Sequence, residues 1–407
     1  MYDVINELEE CDFNFLFGLY NHRCLTFFQA YNHFYKDNSN SYNDCLDKYI
    51  NKLIRLKLVE DTLFANDNLA LFLTKNGVDF LREYFNLDKE IYVNGRIKKS
   101  IYTAGDLKML PRLIPHQVFL NQFVLDFKTI CSFAKEDNWA YFDEKFVSKY
   151  TFIRPDGLIE FKDTDYFLEL DMNTESKKQL IDKWDKYSNF LRRKKPKRKI
   201  VVLFIVENTK NMKNRIDVVN YTINEAISHL ISDNFDIVVG SKEDLLKYMF
   251  TKKSKTLYEV LKNEGFKVSS ATKNKDLFNN ANYSYYIRKL DCNNKIINEN
   301  GYSAEYLIDE FDESSSSSLM KAKFYYRNLS HFKGSFKRHI FYVIVVDDLD
   351  AFFKKYRHCK FLFRNEFIYF TTLNKLSQNT LSKSLFRYDK SGSIMYLNKM
   401  KNKITYI

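Results

Sequence analysis

Two acidic residues lie inside one short, otherwise apolar segment, and this feature constrains the fold more than any other in the chain. The segment YFLELD, residues 166–171, reads as a β-strand, in which alternate side chains point to opposite faces of a sheet. Glu169 and Asp171 therefore share one face, and Leu168 and Leu170 share the other. An unpaired carboxylate in an apolar strand is costly, so the pattern favours a functional site. The alternative is a surface hairpin, where acidic residues are common.

A third acid precedes this strand. Asp156 stands between Pro155 and Gly157, at the start of a segment that reads as the preceding strand. If the two strands pair, Asp156 approaches Glu169 and Asp171. Clustered carboxylates repel one another, and Mg²⁺ or Mn²⁺ relieves that repulsion because these ions take oxygen ligands and keep bound waters. We therefore predict that the three acids are metal ligands and that Mg²⁺ or Mn²⁺ is the cofactor.

Lys183 follows on a predicted helix over residues 177–192, within the sequence LIDKWDKY. Its ammonium group is the candidate for stabilising a phosphate or orienting a water. The predicted catalytic residues of a metal-assisted phosphodiester cleavage are Asp156, Glu169, Asp171 and Lys183. A tyrosine nucleophile remains an alternative, but 29 tyrosines are present and the sequence nominates none of them. Tyr187 fits a core position better. His116, at the start of a predicted apolar helix, fits a packing or capping role.

The charge balance favours a polyanionic partner. The formal net charge is +12, which suits nucleic acid or an anionic membrane. A membrane is not expected, because the longest apolar runs have seven residues and a span needs about 20. The acidic start MYDVINELEE has no apolar signal core, and the six scattered cysteines form no CxxC pair. These features favour a cytoplasmic protein with reduced thiols.

The first 88 residues follow the order of a winged helix-turn-helix. Residues 12–36 have helical spacing, residues 41–56 form an amphipathic helix, two short strands flank a polar turn at 65–68, and residues 74–85 form another helix with Thr74 as its N-cap. Winged helices place the third helix in the major groove of duplex DNA. The predicted DNA-binding cations of that helix are Lys48, Lys52 and Arg55. A solvated helix face, or a winged helix that contacts protein, is the alternative.

A second basic element is the run RRKKPKRK, with seven cations in eight residues between a predicted helix and a predicted buried strand. On a loop at the end of a sheet, such a run contacts DNA phosphates and adds salt-dependent affinity. A solvated loop is the alternative. The residues of this run predicted to bind DNA are Arg192, Arg193, Lys194, Lys195, Lys197 and Arg198.

These motifs resemble two known groups of proteins. Pro155-Asp156 followed by Glu169 resembles the PD-(D/E)xK nuclease superfamily, although Asp171 stands where that motif has lysine; Lys183, on the next helix, matches members that relocate it. The head ending in LFLTKNG, then PHQVFLNQF, RPDG, ELDMNTES and LIDKWDKY, resembles the replication-relaxation proteins of Gram-positive plasmids and conjugative elements over residues 10–245. This resemblance implies DNA processing in plasmid replication, relaxation or mobilisation. It implies duplex origin DNA as partner, with a homodimer or relaxosome and replication proteins as further candidates.

The last third of the chain contains a possible second copy of this unit. The segments at residues 286–291 and 305–312, YIRKLD and EYLIDEFD, resemble FIRPD and DYFLELD. Asp171 stands 36 residues before Glu207, and Asp312 stands 36 residues before Asp348. Chance similarity between βαβ segments is the alternative. The predicted counterparts of the site residues are Asp291, Glu310, Asp312 and Lys323.

Together these observations predict an α/β protein, α+β overall. A winged helix-turn-helix at residues 1–88 precedes two tandem restriction-endonuclease-like mixed-sheet lobes, a nuclease-like domain at 89–250 and a degenerate copy at 251–407. Two functions remain open. The chain is either a Mg²⁺-dependent endonuclease or nickase that binds duplex DNA sequence-specifically, or a non-catalytic initiator, relaxosome accessory or transcriptional regulator. The three acids favour the enzyme, and the displaced lysine favours the binding protein.

Overall fold

The fold is taken from a computed structural model of the chain. It describes residues 2–39, 41–64, 68–85, 91–93, 96–98, 104–147, 150, 152–194, 198–207, 211–227, 230, 234–250, 255–269, 285–299, 302–312, 316–357, 359–363, 365–388, 394–397 and 404–406.

The described residues form a mixture of helices and sheets, as the sequence predicts. The chain divides into two compact units, one made of Met1–Arg215 with Gly240–Leu246 and the other of Ile216–Val239 with Lys247–Ile407. The boundary predicted near residue 88 lies inside the first unit and stays a prediction. None of the described helices combines the length and the apolar character that a bilayer span requires.

The helices, in chain order, begin and end as follows. They are α1 (Tyr2–Glu7), α2 (Glu10–His22), α3 (Phe27–Ala30), α4 (Tyr42–Cys45), α5 (Asn51–Arg55), α6 (Lys75–Phe85), α7 (Ala104–Leu107), α8 (Ile114–Ala134), α9 (Glu144–Val147), α10 (Lys177–Arg193), α11 (Met212–Ala226), α12 (Lys242–Phe250), α13 (Lys255–Asn263), α14 (Ser316–Arg327), α15 (Leu329–Phe336), α16 (Leu349–Tyr356), α17 (Lys360–Phe363), α18 (Leu373–Gln378) and α19 (Leu381–Ser384). π-helical turns cover Tyr31–Tyr35 and Leu46–Ile50, and a 3-10 turn covers Pro111–Leu113.

The strands are numbered in the same way. They are β1 (Leu25–Thr26), β2 (Val59–Phe64), β3 (Asn68–Leu73), β4 (Ile91–Val93), β5 (Arg96–Lys98), β6 (Trp139–Asp143), β7 (Gly157–Phe161), β8 (Thr164–Asp171), β9 (Lys199–Val206), β10 (Phe235–Gly240), β11 (Lys267–Ser269), β12 (Tyr285–Arg288), β13 (Asn298–Glu299), β14 (Tyr302–Ser303), β15 (Glu305–Glu310), β16 (Phe341–Val345), β17 (Ile368–Thr371), β18 (Phe386–Tyr388), β19 (Ile394–Leu397) and β20 (Ile404–Tyr406).

The head of the first unit packs α2, α3, α4, α5 and α6 against an antiparallel sheet in the order β1-β3-β2. The helix predicted at residues 41–56 consists of α4, a π turn and α5, with Tyr49 and Leu53 in the core. Thr74 caps α6, because its hydroxyl accepts the backbone N–H of Gly77 at 3.1 Å. That prediction is confirmed.

The body of the first unit contains the neighbouring strands β9-β8-β7-β6. The strands β8 and β9 run parallel, and the pairs β7–β8 and β6–β7 are antiparallel. Every residue of β9 from Ile200 to Val206 is buried, so this strand forms the centre of the core. Ser176 caps α10 in a capping box with Gln179, which fixes where the helix begins after β8.

The second unit contains a sheet in the order β11-β12-β15-β16-β17-β18-β19-β20. The strands β15, β16 and β17 are parallel, and their neighbours on both sides pair antiparallel. Buried side chains cover both faces of this sheet and form two core clusters. The helix α14 follows β15 as α10 follows β8 in the first unit.

Candidate functional site

Asp156 comes directly before the first residue of β7 and lies beside β8. The backbone N–H of Asp156 donates to the carbonyl oxygen of Leu168 at 2.9 Å, and its Oδ2 accepts the backbone N–H of Leu170 at 2.7 Å. Asp156 therefore extends the pairing of the two strands by one residue. Burial and the charge of Glu169 raise the pKa of Asp156 to about 8, against the opposing effects of Lys183 and the Leu170 N–H. The two carboxylates thus lie close enough to repel one another.

Glu169 is bound by two side chains of α10. Lys183 Nζ lies 2.7 Å from Glu169 Oε2, and the Tyr187 hydroxyl donates to Glu169 Oε1 at 2.6 Å. Lys183 also lies 3.0 Å from Glu175 Oε1. Burial opposes the charge of Lys183, but Glu169, Glu175 and Asp156 together raise its pKa above the ordinary value. The ammonium group therefore remains charged beside the two acids.

Asp171, the third predicted acid, has a different partner. Its Oδ2 accepts a hydrogen bond from Arg215 Nε, and its Oδ1 accepts the backbone N–H of Asn173 at 2.9 Å. Both Asp171 and Arg215 are buried. Within the described part of the chain, no three His, Cys, Asp or Glu side chains are grouped so that they could hold a metal ion. The structure thus brings Asp156, Glu169 and Lys183 together and binds Asp171 to Arg215.

His116 joins the site, although its sequence position favoured a packing or capping role. It lies on the first turn of α8, and its Nε2 is 3.5 Å from Asp156 Oδ2 and 3.2 Å from the carbonyl oxygen of Leu170. Burial lowers the pKa of His116, against the effect of the Leu170 carbonyl. The neutral imidazole is therefore favoured beside Asp156. No spacing in the sequence indicated this contact, because His116 lies 54 residues from Leu170.

A cavity of about 500 Å³ opens beside Glu169 and Lys183. Its lining combines aromatic side chains with charges of both signs, so it is a polar site and not a gap in the core. The residues that line it are Tyr150, Phe152, Ile153, Arg154, Glu169, Glu175, Gln179, Asp182, Lys183, Lys186 and Tyr187.

The three cations predicted to bind DNA in the head are each paired with an acid. Lys48 lies 3.5 Å from Glu9, Lys52 contacts Asp12, and Arg55 lies 2.6 Å from Glu7. The paired acids belong to α1, α2 and the turn between them. Lys52 therefore contributes to the packing of the head, whereas Lys48 and Arg55 form exposed ion pairs. A phosphate would have to compete with a carboxylate for each of the three.

The basic run after α10 is only partly described. Arg192, Arg193 and Lys194 are exposed at the end of α10. Arg198 Nε donates to Asp165 Oδ1 at 2.6 Å. Lys195 and Lys197 lie outside the described residues. The exposed cations lie on the same helix as Lys183.

The second unit repeats an ion pair of the first at the same separation. Arg198 bonds to Asp165 near the start of β8, and Arg338 bonds to Glu305 at the start of β15. In both pairs the arginine stands 33 residues after the acid. This correspondence supports the predicted internal repeat, and it specifies which positions are equivalent.

With that register, Asp309 corresponds to Glu169. Asp309 pairs with the parallel strand β16 as Glu169 pairs with β9, and Lys321 Nζ lies 3.1 Å from Asp309 Oδ1. Asp309 is therefore the equivalent acid. Lys321 contacts it, whereas the same register makes Lys323, the predicted residue, the equivalent of Lys183. The predicted acids lie at other positions: Asp291 in the loop after β12, Glu310 next to Asp309 on β15, and Asp312 beyond the end of β15. Lys323 lies 3.5 Å from Glu225 and does not contact Asp309 in the way that Lys183 contacts Glu169.

A comparison with known protein families gives a match within the first unit. A family model described as replication-relaxation matches residues 16–203. The match spans the head, His116, Asp156, Glu169 and Lys183, and it supports a replication-related role. No curated protein and no solved structure matches the chain.

Proposed function

Since residues 16–203 belong to the replication-relaxation family, as the sequence motifs predicted, we propose that the chain processes DNA of a plasmid or other mobile element. The head binds duplex origin DNA, and the body cleaves one strand by metal-assisted hydrolysis. The observation that carries this proposal is the ion pair of Glu169 and Lys183 at 2.7 Å beside a polar cavity, with the charge of Asp156 close enough to act on both residues.

One feature of this site favours a hard cation, namely the repulsion between Asp156 and Glu169. The raised pKa of Asp156 reflects burial and the nearby charge of Glu169. A divalent cation between the two carboxylates would favour their ionised forms and offset that repulsion. Asp156 and Glu169 are the residues that would hold Mg²⁺ or Mn²⁺, which supplies an activated water when bound. Lys183 keeps a positive charge at the position where phosphate charge develops.

The head supports DNA binding through its element order. One helix, a short strand, two further helices, a two-stranded hairpin and a last helix follow one another, with the sheet in the order β1-β3-β2. This order supports the proposal of a winged helix. In the proposed complex Lys48, Lys52 and Arg55 exchange their acidic partners for phosphates, and the exposed end of α10 adds contacts to the backbone.

A second candidate function is a DNA-bound initiator, relaxosome accessory or regulator whose body is a scaffold. The observation that favours it is the pairing of the charges themselves. Arg215 neutralises Asp171, and Lys183 is shared between Glu169 and Glu175. A body with its acids internally compensated holds its fold without a metal.

A nicking assay separates the two functions. Supercoiled cognate plasmid is incubated with Mg²⁺ or Mn²⁺ and with wild type, Asp156→Ala or Glu169→Ala, and the control is Asp185→Asn, an exposed carboxylate of α10 outside the cavity lining. The enzyme hypothesis expects nicking by wild type and the control, and at least a hundredfold loss in both alanine variants.

Retention of DNA on a gel is measured in parallel. If wild type retains DNA but does not nick it, the scaffold function replaces the enzyme. Nicking that survives both alanine substitutions would move the chemistry to another group, such as a tyrosine.

A further inference from the structure

The cavity beside Glu169 and Lys183 has a lining suited to one nucleotide. Phe152 comes from the segment before β7, and Lys186 comes from α10. We propose that this cavity receives a single unstacked nucleotide of a DNA strand, with the base against Phe152 and the phosphate towards Lys186. This inference rests on the proposed function and adds to it that unpaired DNA is the substrate class of the site.

The volume of the cavity selects the size of the ligand. Pockets of about 300–1,000 Å³ hold small molecules, and this cavity of about 500 Å³ lies inside that range. One nucleotide therefore fits, whereas a base-paired segment with both of its strands does not. Proteins that act on a nucleotide within a pocket take its base out of the helical stack. The strand at this site is accordingly single or locally opened.

The aromatic wall supplies the contact for the base. The guanidinium carbon of Arg193, which is outside the cavity lining, lies 4.7 Å from the ring centroid of Phe152, so a cation covers one face of this ring and the base would stack on the other. Aromatic rings and arginine side chains bind bases of any sequence by stacking. Tyr150 has a different role, since its ring packs edge-on against Phe167 and Phe190 and shapes the wall.

The charges of the lining favour a ligand with a single phosphate charge. Lys183 is already in contact with Glu169 and Glu175. The lining as a whole has no net charge, since its three acids are matched by its three cations: Glu169, Glu175 and Asp182 against Arg154, Lys183 and Lys186. Such a lining disfavours a compact polyanion such as a triphosphate. A nucleotide within a strand carries a neutral base and one phosphodiester charge, which the exposed Lys186 can face from α10.

The test measures binding by the full chain without catalysis, by fluorescence anisotropy in EDTA. The probes are a labelled single strand, the same strand with abasic sites, and its duplex. We expect the intact strand to bind more tightly than the abasic strand. Phe152→Ala should weaken binding of the intact strand by about 5- to 150-fold, the loss that removing one base–aromatic stack produces. Binding of the abasic strand should not change.

Two further variants make the result specific. Phe133→Ala removes an aromatic side chain that is 84% exposed and lies outside the cavity lining, and it should leave binding unchanged. Lys186→Gln should weaken both strands alike and reduce the slope of log K against log salt by about 0.7. If Phe152→Ala does not fold, Phe152→Leu replaces it, because leucine keeps the apolar volume but has no aromatic face.

Equal binding of the intact and abasic strands would overturn the inference. The duplex is expected to bind through the head, so a loss of duplex binding in Phe152→Ala as large as that of the single strand would also overturn it. The outcomes are separable from those of the nicking assay. Base-dependent binding without nicking removes the enzymatic proposal and keeps the nucleotide site. Nicking with base-independent binding removes the nucleotide site and keeps the enzyme.

Discussion

Tyr187 donates its phenolic hydrogen to Glu169 Oε1 at 2.6 Å, and both residues are buried. This bond holds a carboxylate of the central sheet against α10, one turn beyond Lys183. The burial of the phenol and the charge of Glu169 raise the pKa of Tyr187 well above its ordinary value, so the hydroxyl keeps its proton. Tyr187 therefore positions Glu169 in the structure as it stands.

Removal of that hydroxyl should cost stability. Tyr187→Phe preserves the ring but leaves Glu169 Oε1 without its donor, and hydrogen bonds to charged groups contribute about 1.5–3 kcal/mol. We expect the free energy of unfolding to fall by about that amount in urea titrations. Tyr326→Phe, which alters a tyrosine that is 43% exposed, is the matched control and should change stability by less than about 0.5 kcal/mol. Equal effects of the two variants would contradict the role of Tyr187.

The raised pKa of Asp156 should make stability fall with rising pH. Between the usual value of 3.8 and the folded value of about 8, the folded protein holds a proton that the unfolded chain has released. The free energy of unfolding therefore decreases across this window, on the order of a few kcal/mol. Asp156→Asn keeps an oxygen to accept the Leu170 N–H and removes the titration. Urea titrations at pH 5, 6.5 and 8 should show a shallower decline for this variant, while Asp185→Asn follows wild type.

Replacing one member of the buried pair of Asp171 and Arg215 should lower the stability of the protein more than replacing both. Arg215→Met leaves a buried carboxylate unpaired, which costs about 3–5 kcal/mol. Combining it with Asp171→Leu removes both charges and should restore most of that loss. Denaturant unfolding of the two single variants and the double variant measures this coupling. A double variant as unstable as the sum of the single variants would show that the pair does not interact as the structure indicates.

Gly77 marks a close approach between α6 and the chain before β2. A β-carbon at this position would collide with the carbonyl oxygen of Leu58. Gly77→Ala should therefore destabilise the protein by about 1–3 kcal/mol, despite the better helix propensity of alanine. Gly334→Ala in α15 is the control, because its added carbon meets nothing within 4 Å, and it should be neutral or stabilising by up to about 1 kcal/mol. Thermal unfolding of both variants checks the difference.

The parts of the site that depend on local chemistry were predictable from sequence. Thr74 caps α6 as expected, because an N-cap bond spans only three residues. The pairing of β7 with β8 brought Asp156 to Glu169 as the strand pattern predicted, and Lys183 reached the same acid from the next helix.

The rest depends on contacts distant in sequence. Arg215 lies 44 residues from Asp171, and no sequence motif predicted that it would pair with this third acid. His116 reaches the site through the packing of α8. In the second unit the sequence similarity identified the correct strand, but a shift of register moved the equivalent acid from Glu310 to Asp309. Acid-x-acid patterns recur along such strands, and only hydrogen-bonding partners decide between neighbouring positions.

The paired cations of the head have a consequence for how the protein would respond to ionic strength. A lysine or arginine that moves from a carboxylate to a phosphate displaces cations condensed on the DNA, but the carboxylate that it leaves takes up cations from solution. Lys48, Lys52 and Arg55 would therefore contribute less to counterion release than their number suggests. DNA binding by the head would then depend less on salt than DNA binding by the exposed cations at the end of α10.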